Sequence, residues 1–213
     1  MRNVRNITAT GWLVKVKPLK IITALVVFLS LFCSTFANAN LLNIDPLSVE
    51  SEAWTILDPQ TGQVIAEHNS HVKRAPASLT KMMVGYIALK EIKAGKLDKN
   101  EILTATPVVN TVQWDESQMY LKPNERISID QLIAGLVVMS ANDAAVTLAE
   151  RISGSVPQFI QRMNQEAQAL GMKDTHFSNP AGITMDDHYS TAHDLALLGQ
   201  AVTTQTPARR KIP

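Results

Sequence analysis

The order of its hydrophobic patterns constrains this chain more than any single residue does. Residues 53–57 and 63–67 alternate as two short strands around Asp58-Pro59-Gln60-Thr61-Gly62, a run of turn residues, and so predict one β-hairpin. From Ser78 to Ala94 the period becomes helical, with Leu79, Met82, Met83, Tyr86 and Ile87 on a broad apolar face and a stop at Gly95. Residues 96–127 read as loop. Helices follow: Ser128 and Gln131 form a capping box ahead of 129–139, and Asn142 caps a helix to about Ile152. Ser155 and Pro157 open another that ends near Gly171, and Thr191 with Asp194 starts 192–202. A lone hairpin is not a stable sheet in water. The pattern therefore predicts an α+β fold, a helical block packed on an antiparallel sheet whose C-terminal strands are missing from these 213 residues.

The first 39 residues are of another kind. Arg2, Arg5, Lys15, Lys17 and Lys20 stand in a stretch without acidic residues, 21–36 is almost wholly apolar, and Ala37-Asn38-Ala39 follows as a small-x-small site. These are the parts of a secretion signal, so cleavage after Ala39 is expected, with 40–213 exported to the periplasm or the outer face of a bacterial cytoplasmic membrane. The apolar run is shorter than the roughly 20 residues of a membrane-spanning helix. Its removal takes five of 20 basic residues and none of 19 acidic ones, which turns the formal charge from +1 to −4. It also removes Cys33, the single cysteine.

Composition excludes several function classes. No basic excess is available to follow a phosphate backbone, so no nucleic-acid partner is expected. At 46% hydrophobic and 18% charged, the chain lacks the signature of disorder. No Cys-x-x-Cys pair or His-Glu-x-x-His helix occurs, so neither metal nor cofactor is expected. The five histidines read as surface or loop residues, and the methionines as core.

Two short motifs carry chemistry. Ser78-Leu79-Thr80-Lys81 puts a hydroxyl and an amine three residues apart at a predicted helix start, on one face. A desolvated lysine of lowered pKa can take the serine proton, and the positive end of the helix favours a developing oxyanion. The bland alternative is a capping serine beside an unrelated surface lysine. Ser140-Ala141-Asn142 falls at a junction between helices, where Ser140 could shuttle a proton and Asn142 orient a carbonyl or the lysine. Here the alternative is plain capping.

Together the motifs resemble the penicillin-recognising serine enzymes. The segment 75–83, Ala-Pro-Ala-Ser-Leu-Thr-Lys-Met-Met, resembles the nucleophile region of the low-molecular-mass D-alanyl-D-alanine carboxypeptidases of peptidase family S11. Leu121-Lys122-Pro123, residues 171–177 and residues 188–196 are similar to the same family, and the resemblance runs from about 48 to 202. It implies a serine β-lactamase/penicillin-binding transpeptidase-like fold. It also implies Ser78 as nucleophile, Lys81 as its base, Ser140 as proton relay and Asn142 as a substrate-positioning residue. The implied partners are the peptidoglycan stem peptide and β-lactam antibiotics, with no cofactor. The family's third motif, Lys-Thr-Gly or Lys-Ser-Gly, does not occur, and neither does its C-terminal membrane anchor. The domain at 40–213 is therefore expected to be partial and its activity impaired. The alternative is a catalytically silent chain that binds peptidoglycan weakly or not at all. A class A β-lactamase is disfavoured because no Glu-x-x-Leu-Asn follows Asn142 and position 141 is Ala.

Overall fold

A computed structural model describes residues 49–205; the predicted export signal and the polar stretch beyond 205 lie outside these residues. Strands β1 (Trp54–Leu57) and β2 (Val64–His68) form the expected hairpin, with Trp54 opposite His68, Ile56 opposite Ala66 and a bulge between Ile56 and Leu57. Its turn works by the chemistry of its residues. The Asp58 carboxylate accepts from Gln60 N at 2.9 Å and Thr61 Oγ1 at 2.8 Å, and Gly62 takes a φ of 75°.

The stretch 96–127, expected as loop, supplies five of the six residues of a second pairing. β3 (Ile102–Thr104) runs antiparallel to β4 (Arg126–Ser128), so the described residues hold two separate two-stranded sheets. Three-residue strands with little burial leave no alternation to detect; Ile102 is 58% exposed, and only Ile127 of the six is buried. Flanking bonds fix the register, from Ala105 N to Glu125 O at 2.8 Å and from Ile129 N to Glu101 O at 3.0 Å.

Helix α1 (Lys81–Lys93) begins three residues after Ser78, which stands on a 3₁₀ turn (Ala77–Thr80) rather than in the helix itself. Met83, Val84, Ile87 and Ala88 are fully buried, and α1 packs against the four helices that follow. These are α2 (Ile129–Val138), α3 (Asn142–Ser153), α4 (Val156–Ala169) and α5 (Ala192–Gln205). The capping box of α2 forms in full, with Gln131 N donating to Ser128 Oγ and Ser128 N to Gln131 Oε1. Ser155 caps α4 as expected. The cap predicted for α3 does not form: Ala141 is its N-cap residue and Asn142 its first helical residue. Helix α5 lies on β1, which places the helical block against the hairpin. Glu166 binds Lys90 and Arg162, each at 2.8 Å, and Arg162 binds Glu91 at 2.9 Å, a partly buried polar seam between α1 and α4.

Candidate active site

Ser78 enters the site from a constrained turn. Pro76 is buried, Ala77 takes a φ of 47°, and Ser78 follows on the 3₁₀ turn with its side chain accessible. Lys81 is buried and donates to Ala181 O at 2.6 Å and to Ser78 Oγ at 3.5 Å. Burial pushes its ammonium pKa below the usual lysine value, against an opposing pull from the Glu116 carboxylate. A lysine so placed can reach the serine proton and surrender its own more readily than a surface lysine.

The partner carbonyl comes from the loop at 179–182, whose Asn179 has no role legible in the sequence. Its Oδ1 accepts from Gly182 N at 2.7 Å, Ile183 N at 3.0 Å and Ala181 N at 3.2 Å, folding the loop around one side chain. Gly182, at φ 85°, lies against the nucleophile turn, and a Cβ there would stand 2.0 Å from Ala77 O. A second brace is His188, which lies in a loop, one of the two placements expected for it, but is buried there. Ser178 N–H donates to its Nδ1 at 3.0 Å, so the neutral ring carries its proton on Nε2 and donates to Thr80 Oγ1 at 2.8 Å. Burial lowers the pKa of this ring, consistent with an accepting Nδ1.

Ser140 lies between α2 and α3 at a φ of 53°, and its buried Oγ has no hydrogen-bond partner among the described residues. The amide of Asn142 is aimed elsewhere than at Lys81. Its Nδ2 donates to Glu116 Oε2 at 2.5 Å, and its Oδ1 is buried without a partner. Asp143 does the tethering that a cap would have done. Its carboxylate accepts from Met119 N at 3.1 Å and Leu121 N at 2.9 Å, pinning the 113–121 segment to the start of α3. Neither Glu116 nor Asp143 belongs to a motif that marked it in the sequence.

Ser78, Lys81 and Ser140 line one cavity of about 280 Å³ together with Tyr86, Leu136 and Val202. Asn142 is not among its lining residues. A larger cavity of about 520 Å³ opens beside β3 and β4, where its one serine, Ser128, is engaged in the helix cap. Exposed Leu79, Val137, Val138 and Met139 lie next to the site residues in sequence. Among the described residues a serine, a buried lysine of lowered pKa and a second, unpaired serine therefore line one largely apolar cleft. That arrangement can perform acyl transfer.

Comparison with known proteins shows the family and the fold. The family described as D-alanyl-D-alanine carboxypeptidase, Peptidase S11, matches residues 39–212. D-alanyl-D-alanine carboxypeptidase DacA of Escherichia coli K12 is 38% identical over 187 residues, covering 82% of this chain and 46% of the relative. The crystal structure of the D-alanyl-D-alanine carboxypeptidase DacD from Francisella tularensis is similar at a TM-score of 0.72 and 38% identity, over 82% of this chain and 44% of that one. Penicillin binding protein 5 from Haemophilus influenzae gives a TM-score of 0.74 at 34% identity, over 78% and 48%. The chain spans about half the length of the curated relatives it matches. Its fold is the α+β fold of the penicillin-binding and DD-peptidase proteins.

Proposed function

Since this chain belongs to the D-alanyl-D-alanine carboxypeptidase family Peptidase S11, we propose that it is a serine-type peptidase that removes the terminal D-alanine from peptidoglycan stem peptides and is acylated by penicillins. The observation that carries this reading is the buried Lys81 amine, within reach of Ser78 Oγ and held there by Ala181 O. Neutral Lys81 takes the hydroxyl proton as Ser78 Oγ attacks the carbonyl carbon of the penultimate D-alanine. The tetrahedral oxyanion collapses, the peptide bond breaks, and the departing D-alanine amine receives a proton passed from Lys81 through Ser140. Water, deprotonated by the neutral lysine, then hydrolyses the ester and restores Ser78. A β-lactam follows the same first step, but its ring nitrogen remains tethered to the acyl group.

Asn142 acts in this scheme through its free carbonyl oxygen and through Glu116, which it holds by its amide. Glu116 in turn favours the protonated state of Lys81, opposing burial. The export signal at 1–39 fits the start of the family match at residue 39 and would deliver the enzyme to the periplasm, where its substrate lies.

Incubation of the chain with benzylpenicillin, followed by intact-mass measurement, tests the reading. One added benzylpenicillin per chain is expected, and none in Ser78→Ala. An adduct that persists in Ser78→Ala, or no adduct on a cooperatively folded chain, overturns it.

A further inference from the structure

Away from the cleft, a carboxylate and two imidazoles converge although they share no sequence motif. Glu67 is the penultimate residue of β2, His71 lies on the connection leading to the nucleophile turn, and His193 is in the first turn of α5. One ligand atom from each lies within 4.8 Å of the other two, and the two imidazole rings stand 4.6 Å apart, tilted by 35°. The frame beneath them is fixed. Buried Ser70 donates from Oγ to Glu67 Oε2 at 2.5 Å, and its carbonyl accepts from His193 N at 3.0 Å. His193 Nδ1 is itself buried with no hydrogen-bond partner among the described residues, an arrangement that native folds rarely leave uncompensated.

We propose that Glu67, His71 and His193 bind one zinc ion, joining the end of β2, the approach to Ser78 and the start of α5. Two imidazoles and a carboxylate form a borderline donor set that suits zinc over calcium or magnesium, which prefer oxygen ligands alone. Three protein ligands leave the fourth tetrahedral position to water. Bonds of about 2.0–2.1 Å require the ligand atoms to draw closer than they stand. Glu67 and His71 are exposed, so their side chains have room to rotate toward a shared ion. The Ser70 hydroxyl then serves as an outer partner that orients the ligating carboxylate.

The test uses the full chain, stripped with chelator and titrated with zinc chloride, with bound metal measured by mass spectrometry after dialysis and melting temperature followed alongside. One zinc per chain and a raised melting temperature are expected. His71→Ala, an exposed position, should lose at least tenfold in affinity while melting like the unmodified chain without metal. His176→Ala, on a histidine outside the cluster, should bind as before. Substoichiometric zinc in the unmodified chain, or unchanged binding in both His71→Ala and His193→Ala, overturns the assignment.

Discussion

The nucleophile turn and the Ser140 junction face one cavity, yet their polar groups are handled in opposite ways. At the nucleophile turn the Lys81 amine is bonded to Ala181 O and Ser78 Oγ, and Thr80 is bonded to His188. At the junction, Ser140 Oγ and Asn142 Oδ1 are buried without partners. Both turns contain a non-glycine residue at positive φ, Ala77 at 47° and Ser140 at 53°, so each stores some backbone strain. The difference is in what holds the strain in place. Loop 179–182 clamps the first turn by direct backbone approach, whereas Asp143 and Glu116 hold the second through side chains. One side of the cleft has its polar groups paired, and the other leaves the cavity-lining Ser140 Oγ and the more deeply placed Asn142 Oδ1 unpaired.

The sharpest way to break this contrast is to remove the amine from the organised side. Lys81→Met should slow acylation by penicillin about 10²- to 10⁴-fold, the span of general-base catalysis, while leaving Ser78 in place; stopped-flow or timed intact-mass measurement reads it. The pH dependence carries its own sign. Only the neutral amine accepts the serine proton, so the acylation rate rises with pH through the folded-state pKa of Lys81, which burial sets below 10.5. Glu116 raises that pKa, so Glu116→Gln should move the limb to lower pH; a limb that stays in place would detach Glu116 from the lysine.

Next in size is the clamp. Gly182→Ala forces a methyl group to within 2.0 Å of Ala77 O at a positive φ, and should cost on the order of 4 kcal/mol from overpacking and strain combined. Denaturant unfolding measures it. A loss below about 1 kcal/mol would show that the two backbones can separate freely. Asp143→Ala tests the other side. It strands the Met119 and Leu121 N–H groups and should cost about 3 kcal/mol by the same measurement. Smallest is Ala77→Gly, which relieves the left-handed strain and should change stability by no more than about 1 kcal/mol, with either a gain or near-neutrality. A large loss there would mean that the Ala77 methyl packs more than it strains.

What the sequence determined by itself is local. The hairpin and its Asp58 turn, the capping box at Ser128 and Gln131, the cap at Ser155 and the three-residue step from Ser78 to Lys81 all depend on neighbours within one turn or one strand pair. Periodicity and turn chemistry report such neighbours directly. Asn142 shows where local reading stops. Its type and position suit a cap, but Glu116, 26 residues away, takes its amide, and Asp143 fills the tethering role. The short strands β3 and β4 were equally hidden, since three mostly exposed residues have no period to detect.

Tertiary structure alone decided the rest. Lys81 finds its carbonyl 100 residues along the chain at Ala181, and Thr80 finds His188 across 108. Glu67, His71 and His193 meet because α5 packs on the hairpin, not because their spacing foretells it. The physical reason is common to all three. A side chain's type states which bonds it can make, but which partner stands within reach is set by how the helices and loops pack, and packing depends on residues far apart in the chain.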